Sequence, residues 1–256
     1  MAEMGLGYGS EFQLMRFLGH HRNYLNKLIR ETVKIDGEIQ WLDYPTDNNR
    51  LSGDGEWEGI KCFEKLENYA DIAQKWKEWW PQKSGKRKTK TMNWDGIFKI
   101  VDTWFFVEAK AHKKESYQKC GASSEKSKVK IEDAFHKTQE WLKVETEKQW
   151  IDSNCYQLAN RLAFLCFCNT HGINAKLLYI SFINGFRRKI DEIHREVEWK
   201  SIWKEEFKEL GLDKIDMSSH IYFIYPDCKM SFNLSYSLKL VSKKFFCKNL
   251  FCYFCR

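Results

Sequence analysis

The chain has 256 residues, a formal net charge of +7, and 43% hydrophobic and 16% aromatic residues. This composition excludes a disordered or fibrous chain and supplies enough apolar side chains for one sizeable core. The basic balance favours a polyanionic partner. No run approaches the ~18 uninterrupted apolar residues of a membrane span. The opening MAEMGLGYGSE lacks the basic-then-apolar pattern of a secretory signal. Nine cysteines without framework spacing fit reduced thiols and a cytoplasmic location.

In chain order, Ser10 is a plausible cap for a helix over 11–33, with Leu14, Phe17, Leu18, Leu25, Leu28 and Ile29 as its apolar stripe. A short strand is expected over 37–44, ended by Pro45, then a polar loop over 46–59. Residues 60–80 have helical periodicity, with Phe63, Leu66, Tyr69, Ile72 and Trp76 on one side, and Pro81 stops them. Five cations then fall within eight positions: Lys83, Lys86, Arg87, Lys88 and Lys90. Such a run is either a solvated loop or a grip on backbone phosphates. It leads directly into Asn93–His112, NWDGIFKIVDTWFFVEAKAH, whose aromatic and branched residues predict a β-hairpin turning at Val101-Asp102.

A polar loop is expected over 113–130 and an amphipathic helix over 131–143, with Ala134, Phe135, Thr138 and Leu142 inward. Residues 154–171 read as the most buried helix, its first two turns interrupted only by Gln157, Asn160 and Arg161 on one face; Cys155, Cys166 and Cys168 read as buried thiols. The apolar run 175–183 predicts a strand covered on both faces. A charged helix with anchors Val197, Ile202 and Phe207 follows over 192–210, and a last strand over 220–225. The expected organisation is one α/β domain over 1–228 and a C-terminal extension over 229–256. A zinc site built from Cys228, Cys247, Cys252 and Cys255 is the weaker alternative for that extension, because the spacing is irregular and no histidine lies nearby.

The chemistry is concentrated in the hairpin. Side chains alternate along a strand, so Glu108 and Lys110 share one face while Ala109 turns to the other. Asp95, at the start of the partner strand, reaches the same place if the hairpin register is short. Two carboxylates can hold Mg²⁺ or Mn²⁺, and a lysine beside them can stabilise a pentavalent phosphate or assist a water. An E-x-K pair can equally be a solvated edge. Here the apolar strand before Glu108 and the small Ala109 suit a packed position.

Asp95 followed after twelve residues by Glu108-Ala109-Lys110 resembles the signature of the PD-(D/E)xK nuclease superfamily, with Trp94 where that signature often has proline. The phrases SEFQLMRFLGHHR, MNWDGIFKI, WFFVEAKAH and YQLANRLAFL are also similar to an uncharacterised bacterial branch of that superfamily. The resemblance implies a restriction-endonuclease-like core, α-β-β-β-α-β, with a central mixed sheet flanked by helices. It implies a metal-dependent DNA endonuclease, with RNA also open as substrate and a homodimer allowed. Asp95, Glu108 and the carbonyl of Ala109 would hold the metal, and Lys110 would position or activate water. It adds Glu11 and Gln157 as supporting site residues and Arg161 as a phosphate contact. Glu11 reads equally as a carboxylate favoured at a helix start, and Gln157 as a core group satisfying the backbone. The rival function is a non-catalytic module that binds nucleic acid or a partner protein on the same fold.

Overall fold

The computed structural model describes residues 8–42, 57–82, 92–186 and 192–229. Among them a five-stranded mixed sheet is flanked by six α-helices. The chain runs α1 (Ser10–His20), α2 (Arg22–Val33), β1 (Ile39–Trp41), β2 (Trp57–Glu58), α3 (Tyr69–Trp79), β3 (Asn93–Trp94), β4 (Gly96–Ile100) and β5 (Thr103–Lys110). It continues α4 (Glu125–Leu142), α5 (Tyr156–Thr170), β6 (Ala175–Ser181), α6 (Glu196–Glu209) and β7 (Ile221–Ile224). The sheet order is β1-β4-β5-β6-β7, and β2 and β3 pair separately. β4 pairs antiparallel with both β1 and β5, whereas β6 and β7 add in parallel beyond β5. α4 and α5 lie between β5 and β6 in the chain and make the long crossover that parallel pairing requires. The basic loop with Lys83, Lys86, Arg87, Lys88 and Lys90 lies outside the described residues, as do Cys247, Cys252, Cys255 and most of the expected C-terminal extension.

β5 is the centre of the molecule, and all eight of its residues are buried. Its alternation divides the core in two. Phe105, Val107 and Ala109 face α1 and α2 and pack with Leu14, Phe17, Leu25 and Ile29. Trp104 and Phe106 face the opposite layer, with Trp76, Trp94, Phe164 and Trp199. Ala109 thus occupies the packed reverse face its size suggested, at 1% exposure.

The N-terminal helix expected over 11–33 is two helices, broken at His21 (φ −130°, ψ 25°). Phe17 and Leu25 are eight residues apart and would lie about 80° apart around one straight helix; across the break both are fully buried. Residues 60–80 are likewise not one helix. A 3-10 turn, Lys61–Phe63, turns Phe63 into the core, and α3 starts only at Tyr69. α4 begins at Glu125, inside the expected loop, because the Ser124 hydroxyl accepts from the Ser127 amide and caps it. In α6 the anchors are Trp199, Ile202, Trp203 and Glu206, while Val197 is 60% exposed. The strand expected over 37–44 is described only as Ile39–Trp41.

The hairpin turns at Val101-Asp102, as expected, between the paired residues Ile100 and Thr103. Val101 has φ 52°, a left-handed conformation that a β-branched residue adopts at a cost. Its side chain is 64% exposed and contributes little burial in return. Val101→Gly should therefore raise stability by about 1 kcal/mol, visible as an increase in melting temperature of about 2–4 °C; an unchanged or lower melting temperature would show that the turn carries no strain.

Candidate functional site

The site lies where β4 begins beside the last residues of β5. Gly96 is the first ladder residue of β4 and pairs with Val107. Asp95 precedes it, just outside the pairing; its own amide donates to the Val107 carbonyl (3.1 Å). Beyond that point the Ala109 N–H faces the β4 side without a strand partner. Asp95 supplies one, its Oδ2 accepting from the Ala109 amide at 2.6 Å. A residue's N–H and C=O leave a strand on the same side, so the Ala109 carbonyl also points toward Asp95. The short register needed to bring Asp95 to Glu108 is therefore present.

Glu108 is 4% exposed and its carboxylate is enclosed by donors. Oε1 accepts from Lys110 Nζ (2.6 Å) and from Gln157 Nε2 (2.9 Å). Oε2 accepts from Arg161 Nε (2.8 Å) and lies 2.7 Å from a second Arg161 nitrogen. Lys110 Nζ also donates to Gln157 Oε1 at 2.7 Å, closing a ring of three side chains. Gln157 and Arg161 come from consecutive turns of α5, spaced four residues apart, and so reach the same carboxylate. The Arg161 guanidinium lies 4.5 Å from the centre of the Trp94 ring, and its third nitrogen donates to Asn160. Trp94 packs in turn on Phe106 and Phe164, fixing the platform beneath the cation.

The charges are strongly coupled. Burial alone would raise the Glu108 carboxyl, but Arg161 and then Lys110 more than offset it and hold it below its ordinary value. Burial would lower the Lys110 ammonium; Glu108, then Glu115 and Asp95, raise it instead. Lys110 is thus held as a charged donor, the form that stabilises a phosphorane or positions a water. Arg161, expected as a phosphate contact, is 6% exposed and here bonds Glu108.

Glu11 stands in the first turn of α1. The start of that helix is tied to the end of β5, because the Ser10 hydroxyl donates to Glu115 Oε1 (3.1 Å). Glu115 is a site residue that sequence reading passed over. Its Oε2 accepts from the Ala111 amide (2.5 Å), and His112 Nε2 lies 3.4 Å from Oε1. The available signal was a carboxylate five residues beyond Lys110, in a segment read as loop. Glu206 of α6 was also missed. It is 1% exposed, and its Oε1 has no hydrogen-bond partner among the described residues. Burial, assisted by Glu209 and Glu108 against the pull of Lys110, pushes its carboxyl up to about 8.

Asp95, Glu108 and the Ala109 carbonyl are hard oxygen donors brought to one place, a set that suits Mg²⁺ or Mn²⁺ retaining several waters. A cation bound through Glu108 would have to replace one of the donors already on it. No group of three or more His, Cys, Asp or Glu side chains is placed to hold a metal among the described residues. Cys155, Cys166 and Cys168 are buried thiols as expected, raised by burial, and Cys228 is a free buried thiol. No described helix is long and apolar enough to cross a membrane.

No protein-family profile, no curated protein and no solved structure matches this chain.

Two stability predictions follow from the charges. Glu108→Gln leaves two cations buried without their counter-charge and should cost about 3–5 kcal/mol in urea unfolding. Adding Arg161→Met should recover part of that loss, and strictly additive losses would show that the two groups are uncoupled. For pH, Glu108 contributes stability that is present above its ordinary 4.5 and lost as pH falls through its lowered value in the fold. Glu206 acts in the opposite sense. Its raised carboxyl keeps a proton in the fold that the unfolded chain releases, so stability falls as pH rises from 4.5 to about 8, by at most about 1.4 kcal/mol per unit. Glu206→Gln should flatten that alkaline slope in melts taken across the range; an unaltered slope would refute the assignment.

Proposed function

We propose that this chain is a metal-dependent nuclease that hydrolyses DNA phosphodiester bonds, built on a restriction-endonuclease-like α-β-β-β-α-β core of the PD-(D/E)xK type. The observation that carries this reading is the convergence of Asp95, Glu108 and Lys110 at the adjoining ends of β4 and β5, joined by Gln157 from α5. The mixed sheet and the order of its elements are compatible with that core.

Asp95, Glu108 and the Ala109 carbonyl would hold Mg²⁺, with Mn²⁺ as an alternative. When bound, the ion would polarise a phosphoryl oxygen and offset the charge of the transition state. Lys110 presents an ammonium in a dry setting, where a fixed positive charge stabilises a developing phosphorane most effectively. Gln157 limits the freedom of that ammonium by accepting one of its hydrogen bonds. Asp95 holds the end of β5 through the Ala109 amide, so it positions the strand as well as offering an oxygen. The basic segment Lys83, Lys86, Arg87, Lys88 and Lys90 precedes Asp95 in the sequence and would supply positive charge for backbone phosphates.

One observation favours the rival reading, a nucleic-acid-binding or protein-interaction module on the same fold: every acceptor position of Glu108 is already taken by a side chain of the same chain. The two readings part in one assay. The full-length protein is incubated with supercoiled, linear and single-stranded DNA and with RNA, in Mg²⁺, Mn²⁺ or EDTA. The nuclease reading expects cleavage that requires metal and falls at least about 10²-fold in Lys110→Ala and Asp95→Ala. Retention of DNA on a gel without cleavage under any condition, unchanged in both variants, would establish the binding module instead.

A further inference from the structure

The four donors on Glu108 have a consequence for how the site would load. An ionised carboxylate offers about four acceptor positions, and here Lys110, Gln157 and two nitrogens of Arg161 occupy them. A divalent cation and Arg161 therefore compete for the same oxygens. Lys110 sits two residues away on the same strand, so it cannot leave Glu108 without moving its own strand, whereas Arg161, also bonded to Asn160, is carried by a separate helix. Arg161 reaches in from α5 on a long side chain, with its guanidinium lying over Trp94. A guanidinium is also the side chain best matched to a phosphate, which it can bind through two parallel hydrogen bonds.

We propose that Arg161 is an exchangeable counter-ion: it neutralises Glu108 in the resting chain and moves to a phosphate of the bound polynucleotide, so that divalent cation and phosphodiester load the site together. This rests on the reading of Asp95 and Glu108 as a metal centre. Arg161 is then a positioning residue that governs when Glu108 is available. Because binding linkage is reciprocal, DNA must tighten cation binding by the same factor by which the cation tightens DNA binding. The arrangement would disfavour cation binding when no nucleic acid is present, without a separate regulatory domain.

The test is calorimetric titration of the full-length protein with Ca²⁺, a hard cation chosen to report binding apart from turnover, with and without a short DNA duplex. For the unaltered chain, the duplex is expected to tighten Ca²⁺ binding about tenfold, within the range usual for coupled sites. In Arg161→Met, Ca²⁺ should bind several-fold tighter without DNA, and the further gain on adding duplex should shrink toward onefold. Arg161→Lys, which keeps a cation but not the planar fork, should restore part of the coupling and serves if the methionine variant does not fold. A folded Arg161→Met chain with unaltered Ca²⁺ affinity, or with the coupling intact, would overturn the inference while leaving the metal centre standing. Ca²⁺ binding that is absent, or that Asp95→Ala does not weaken, would overturn the metal centre and this inference with it.

Discussion

A carboxylate buried on a central strand dictates much of what surrounds it. Glu108 sits in a strand without an exposed residue, and an isolated ionised group there would cost many times the net stability of a domain. The chain could have filled the position with an apolar side chain, as at Phe106 two residues earlier. It instead surrounds the carboxylate with a lysine, an arginine and a glutamine drawn from a strand and a helix. Such clusters are weak contributors to stability, since desolvation consumes most of their attraction. Their presence at the mouth of a sheet is more readily understood as a requirement of chemistry than of folding.

Both layers of the molecule serve this arrangement. α5 must lie close against β5 for Gln157 and Arg161 to reach Glu108, and its apolar circumference of Leu158, Leu162, Phe164 and Leu165 draws it there. On the other face, α1 and α2 cover Ala109 and Val107, and the small alanine lets the backbone between the two charged residues pack closely. Trp94 serves two purposes, as a fully buried core residue and as the floor beneath a guanidinium.

Much of this was legible in the sequence because it rests on periodicity. The hairpin, its turn at Val101-Asp102, the buried helix with a polar stripe and the doubly covered strand all follow from local patterns of period 2 or 3.6. The approach of Asp95 to the end of β5 was conditional on a short register, which the two-residue turn supplies. The rest depends on partners remote in sequence. Nothing near Arg161 announces that Glu108, fifty-three positions earlier, will take its charge. Glu115 lay in a segment without periodicity, and its importance comes from Ser10 at the other end of the domain. Glu206 was hidden among exposed acids and lysines, because Trp199 and Trp203, which turn its face of α6 inward, were read as part of a charged surface helix.

The separation between the hairpin and α5 also bears on how the chain reaches its native state. β4 and β5 are joined by a two-residue turn and can pair early, at little cost in loop entropy, while Glu108 and Lys110 remain hydrated. Their water is lost only when α5 docks, and at that moment the Arg161 guanidinium must arrive with the helix that excludes the solvent. Dehydration of the carboxylate and delivery of its counter-charge are therefore one event. A docked but mispositioned α5 would leave a buried charge unmatched, so forms in which the site is misassembled are energetically disfavoured.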